Sequence, residues 1–174
     1  MGSSTSEITT IIAKAIEIEK NGLKTYLLYA RETKEVTGKD MFVLLASDEF
    51  DHMNLLEEML NNILKKEGGG VLPEAIDHSI IEKVVPRLRN KDRLTVGQAG
   101  ADELVALRTA LGMERDAIEY YRQMHESLKD EKMRSIVSRL VEMEEGHYDI
   151  IQMQIDSVTD TGFWFDMQEF SLEM

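Results

Sequence analysis

Four apolar stripes of helical period run through this sequence, and each is interrupted near its middle by a residue that does not belong in a core. One stripe reads Phe42, Leu45, Glu49, His52, Leu56, Met59, Ile63, and another reads Met133, Val137, Leu140, Glu144, His147, Ile151. Glu19 interrupts the stripe of Ile8, Ile12, Ile16, Leu23, Tyr26 and Ala30, and Glu114 interrupts that of Leu104, Leu107, Leu111, Ile118 and Tyr121. A chain with this pattern must fold so that six polar side chains meet inside it, or turn each of those faces toward water.

The stripes define four helices. The first is expected from about residue 7, capped by Thr5 or Ser6, to the low thirties. A turn is expected over 37–40, where Gly38 stands between polar neighbours, and the second helix should end at the glycine run of Gly68, Gly69 and Gly70. Helices over about 99–128 and from about 131 to the late 150s complete the set. Between the second and third lies a connection that holds both prolines, Pro73 and Pro86, with a short helix expected over about 74–85. The fold class is therefore all-α: a four-helix bundle of two antiparallel hairpins joined by a long crossover. Residues 1–160 are expected to form this bundle, and 161–174 an aromatic tail around Phe163, Trp164 and Phe165 that packs on the bundle or on a partner subunit.

Composition narrows the chemistry. A formal net charge of −13 in 174 residues repels nucleic acid and favours cations. With no cysteine, disulfides, thiolate metal sites and iron–sulfur clusters are all excluded, so a metal must take oxygen and nitrogen ligands. No apolar run approaches the roughly 20 residues of a membrane span, and the start lacks a secretory pattern, so a soluble cytoplasmic protein without membrane association is expected.

In a Glu-x-x-His pair at i and i+3, a carboxylate and an imidazole share one helix face and converge on one ion. His52 and His147 have a Glu three residues earlier, whereas His78 and His125 do not and are read as ordinary histidines. The two halves also repeat one plan. Glu49 follows Glu19 by 30 residues, Glu144 follows Glu114 by 30, and Tyr26 and Tyr121 each come seven residues after the first Glu of their half. Antiparallel helices turning midway between those pairs bring all six groups to one height. Four carboxylates buried together repel one another and lose solvation worth several kcal/mol each, so the core needs protons or cations beside them. Two divalent ions cancel the four charges.

One Glu from each of two helices and Glu-x-x-His from the other two is the ligand plan of di-iron and di-manganese carboxylate bundles. The candidate metal ligands are thus Glu19, Glu49, His52, Glu114, Glu144 and His147. Glu49, Glu144, Tyr26 and Tyr121 are the candidate catalytic residues, with the tyrosines either bonding the ligand carboxylates or filling the core. Asp48, Asp51, Asp116, Glu119 and Glu145 are read as solvated faces. The competing reading places the six groups toward water as well.

With Ala15-Ile16-Glu17-Ile18-Glu19, Asp48-Glu49-Phe50-Asp51-His52, Met113-Glu114 before Tyr120-Tyr121, and Glu142-Met143-Glu144-Glu145-Gly146-His147, the chain resembles the rubrerythrins of the ferritin-like superfamily over about residues 7–158. The resemblance implies two iron ions, with manganese as the other candidate, bridged by Glu49 and Glu144. Glu19 with His52 and Glu114 with His147 then complete the two positions. It also implies reduction of hydrogen peroxide and assembly as a homodimer or larger homo-oligomer. Two features depart from that family's pattern. The position three residues after Glu114, where rubrerythrins carry a further Glu that takes part in an iron shift, is Ala117, and the matching position after Glu19 is Gly22. The four cysteines of a rubredoxin-like domain are missing, so electrons are expected from a separate rubredoxin or reductase. Ferroxidase or iron-handling activity with dioxygen, a di-iron oxygenase or hydroxylase, and a purely structural metal are the other readings.

Overall fold

In a computed structural model the described residues are 2–66 and 101–165, and they form four helices with no strand among them. These are α1 (Gly2–Glu32), α2 (Val36–Lys66), α3 (Ala101–Ser127) and α4 (Glu131–Thr161). Helix α1 packs along α2 and α3 along α4, as two antiparallel hairpins, while α1 meets α3 and α2 meets α4 across the bundle. The long connection, with Gly68, Gly69, Gly70, Pro73, His78 and Pro86, lies outside the described residues, as do residues 166–174. Among the described residues, no helix is long and apolar enough to cross a membrane.

The core falls into two apolar blocks. Toward the end where α1 runs into α2, it is built from Tyr26, Ala30, Phe42, Leu45, Leu107, Ala110, Ile151 and Ile155, and toward the other end from Ile12, Leu56, Met59, Tyr121, Met124, Val137 and Leu140. Between them lie Glu19, Glu49, His52, Glu114, Glu144 and His147, every one buried. Burial of the two blocks fixes the helix rotations, and those rotations turn the six polar groups inward.

The local signals that end and start the helices differ from the sequence expectation in two places. The bend between α1 and α2 is at 33–35, not 37–40. The Thr33 N–H closes the last turn of α1 on the Tyr29 carbonyl (2.8 Å), and Glu35, a buried residue, accepts the Gly38 N–H through Oε2 (3.0 Å). Glu35 thus caps α2, which lets 37–40 enter its first turn. Helix α1 begins at Gly2, ahead of the expected caps. The Ser6 carbonyl already accepts from the hydroxyls of Thr9 (3.0 Å) and Thr10 (2.8 Å) at helical spacing. The end of α1 at Glu32 and the start of α4 at Glu131 agree with expectation. Asp130 caps α4 by accepting from the Met133 N–H (3.0 Å), and Gly162, at φ 79°, closes it onto Val158.

Gly38 has a second role. A Cβ there would stand 2.5 Å from the Trp164 ring, so only glycine lets the indole lie against the start of α2. Trp164 is buried, meets Phe42 edge-on at 6.0 Å, and donates its Nε1–H to Glu103 at 3.4 Å. The buried Gln154 amide holds the next residue from both sides, accepting from the Phe165 N–H and donating to its carbonyl, each at 2.9 Å. The described part of the tail therefore packs on its own bundle.

Candidate metal centre

All six predicted ligand residues meet at mid-height. Glu19 comes from α1, Glu49 and His52 from α2, Glu114 from α3, and Glu144 and His147 from α4. They fall into two overlapping sets. One ligand atom from each of Glu19, Glu49, His52 and Glu144 lies within 4.8 Å of the others, and the same holds for Glu49, Glu114, Glu144 and His147. Glu49 and Glu144 belong to both sets, the geometry of carboxylates shared between two cation positions.

His52 points Nδ1 at Glu19 Oε2 (3.2 Å) and Glu144 Oε1 (2.8 Å). His147 points Nδ1 at Glu144 Oε2 (3.1 Å), Glu49 Oε1 (3.6 Å) and Glu114 Oε1 (3.7 Å). The two rings stack, 5.5 Å apart with 21° between their planes. The tyrosines reach the terminal carboxylates, but across the hairpins: Tyr26 of α1 donates its hydroxyl to Glu114, and Tyr121 of α3 donates to Glu19. Both tyrosines are fully buried, so each holds a carboxylate oxygen in place while helping to fill an apolar block.

Sequence reasoning missed two contacts of the centre. Asp48, expected on a solvated face, is half-exposed yet places Oδ2 3.2 Å from His147 Nε2. Gly22 lies against Glu49: a Cβ there would fall 2.9 Å from its carboxylate carbon and from Oε2. Its signal was its place three residues after Glu19, where only a residue without a side chain leaves Glu49 room. Of the other acids, Asp116 pairs with Arg115 and Glu145 with Arg122 on exposed faces, as expected. Asp51 and Glu119 are also exposed, and His125 stands apart from the cluster.

Burial and mutual repulsion set the electrostatics. Burial, reinforced by the charge of Glu144, pushes Glu114 up to about 8, and burial with the charges of Glu19 and Glu144 holds Glu49 well above the usual carboxylate range. Burial also pulls on Glu144 in that sense, but the hydrogen bonds from His147 and His52 outweigh it and take that carboxyl down to about 2. For the imidazoles, burial alone would lower both. The acceptors around them win, so His52 rises to about 9 through Glu144 and Glu19, and His147 to about 12 through Asp48, Glu144 and Glu49. The tyrosine hydroxyls are raised well above 10.0, by burial first and by the neighbouring carboxylates second. Without a cation, then, the layer balances its acids by holding protons.

A cation suits it better. His52 Nε2 is buried without a hydrogen bond among the described residues, so the proton-balanced layer leaves a polar atom unsatisfied. Four carboxylates and two imidazoles form an oxygen-rich, nitrogen-containing donor set of the kind that iron and manganese accept.

The sequence profile of the family described as Rubrerythrin matches residues 10–155. The chain belongs to the rubrerythrin family. That membership makes the buried carboxylate–histidine cluster the natural place for non-haem iron in this rubrerythrin. Among solved structures, a two-domain protein from Anabaena variabilis with DJ-1/ThiJ/PfpI-like and ferritin-like domains is similar, with a TM-score of 0.67 and 16% identity. The match covers 92% of this rubrerythrin chain and 39% of that protein, and at such identity it establishes a ferritin-like fold alone. No curated protein sequence matches the chain.

Proposed function

We propose that this rubrerythrin is a non-haem di-iron oxidoreductase that reduces hydrogen peroxide with electrons from a separate donor. The observation that carries the reading is the pair of overlapping buried ligand sets that share Glu49 and Glu144. When bound, two ferrous ions supply two electrons and a positively charged surface that stabilises both peroxide oxygens. Reduction of one peroxide to two waters takes two electrons and two protons, and the external donor, a rubredoxin or a reductase, restores the electrons.

The protein's part is to orient and to hold protons. Glu49 and Glu144 set the spacing of the two positions, while Tyr26 and Tyr121 fix the outer carboxylates Glu114 and Glu19 with their hydroxyl protons. Because those protons sit on buried oxygens at the edge of the ligand layer, the tyrosines keep the carboxylates from rotating into the core. Aromatic and aliphatic blocks on both sides exclude bulk water from the layer. We further place the protein in the cytoplasm as a homodimer or larger homo-oligomer without nucleic-acid partners, in keeping with its net charge of −13.

A second reading, ferroxidase or iron handling with dioxygen, is favoured by one observation: with Gly22 and Ala117 in place, the centre has six protein ligands and no seventh carboxylate among the described residues. Stopped-flow oxidation of the diferrous protein by peroxide and by dioxygen separates the two. Faster oxidation by peroxide is expected, and a centre that reacts with dioxygen alone would defeat the peroxidase assignment.

A further inference from the structure

The two histidines of the centre are backed differently. His147 turns Nδ1 toward the carboxylates and Nε2 toward Asp48 Oδ2, 3.2 Å away on the opposite hairpin. His52 also turns Nδ1 inward, but its Nε2 is buried with no hydrogen-bond partner among the described residues. The ligand plan of the first half recurs 95 residues later at every position: Glu19 and Glu114, Glu49 and Glu144, His52 and His147. At that same offset Asp48 corresponds to Met143, whose thioether is at most a weak acceptor.

We propose that Asp48 is a positioning residue that makes the two metal positions unequal, so that the one served by Glu49, Glu114, Glu144 and His147 holds its cation more tightly. The inference rests on the di-metal reading above. A carboxylate behind an imidazole fixes the ring's orientation and its tautomer: Nε2–H donates to Asp48, which leaves the Nδ1 lone pair aimed into the ligand set. His52 has no such fixation. Its Nδ1 faces Glu19 Oε2 (3.2 Å) and Glu144 Oε1 (2.8 Å), but among the described residues no acceptor stands behind the ring to fix its orientation. The rings are otherwise closely matched, stacked in the same layer and both buried, so the acceptor behind them is the difference that remains.

Because Asp48 is half-exposed, it can be replaced without opening the core. The test is an anaerobic titration of the metal-free full chain with cobalt(II), followed by visible absorption. The wild type should bind in two separable steps. Asp48→Ala should weaken the tighter one by about 10–100-fold, the usual effect of losing such a partner, with the weaker one kept. Asp48→Asn, which retains an oxygen acceptor, should recover part of the loss, while circular dichroism shows the metal-free protein helical and folded in all three. His147→Ala should remove the tighter step and His52→Ala the weaker. Two equal steps in the wild type, or a tighter step that Asp48→Ala leaves unchanged, would overturn this assignment alone. Failure of cobalt to bind at all would overturn it together with the di-metal reading.

Discussion

In the first hairpin, Glu49 lies against Gly22 and its helix partner His52 has no hydrogen-bond partner behind its outer nitrogen among the described residues; in the second, Ala117 stands at the position equivalent to that glycine and His147 is held from behind by Asp48. The ligands themselves are the same in kind, order and spacing. The difference teaches that symmetry here belongs to charge balance, which needs two acids and an imidazole from each hairpin, whereas the surroundings of those groups are free to diverge. The tyrosines show the link between the halves. Each crosses from its own hairpin to the other's terminal Glu, so neither hairpin carries a complete position alone.

The largest expected effect comes from breaking that sharing. Glu49→Ala or Glu144→Ala should cost the protein both ions, since each carboxylate belongs to both sets, while Glu19→Ala or Glu114→Ala should cost one. Elemental analysis of the purified variants reads the difference. Equal losses in all four would mean that the shared and terminal roles are misassigned.

A second, smaller effect concerns protons. Glu114 and Glu49 are raised in the folded state, and His52 and His147 are raised as well, so above about pH 6.5 the metal-free fold holds protons that the unfolded chain releases. Stability of the metal-free protein should therefore fall as pH rises from about 6.5 to 9. The His52 contribution is lost as pH passes about 9 and that of His147 only toward about 12, while Glu144, lowered to about 2, adds nothing to the slope in this range. Bound metal displaces those protons, so the slope should flatten on metal loading. Denaturant midpoints across that range check both statements, and a metal-free stability that climbs with pH would contradict them.

Gly22 and Ala117 provide the finest contrast. Gly22→Ala adds a Cβ that must displace the Glu49 carboxylate, an overpacking cost of about 1–3 kcal/mol set against a helix-propensity gain of about 1 kcal/mol. Ala117→Gly should cost about 1–2 kcal/mol, from helix propensity and the loss of a buried methyl, and leave the ligands where they are. Metal affinity should thus fall in the first variant and hold in the second, measured by anaerobic titration with ferrous iron.

The ligand layer was legible in the sequence because six polar residues broke apolar stripes, and an interruption in a periodic pattern shows without any knowledge of the fold. The tyrosines were legible as inward-facing, but their choice of the opposite hairpin's Glu depends on how the hairpins dock, which no local spacing encodes. Asp48 was hidden for a related reason. It sits beside the inner stripe, where a polar residue reads as surface, and only the neighbouring α4 brings His147 within its reach. The start of α2 was misplaced because Gly38 resembles a turn residue, whereas its lack of a side chain serves the packing of Trp164 and the cap falls to Glu35.

Equilibrium binding of ferrous iron to the chelator-stripped wild type under anaerobic conditions tests the whole account most directly. Two tightly bound equivalents per chain are predicted, one for each overlapping ligand set. A folded protein that takes up none would show that protons alone balance these buried acids.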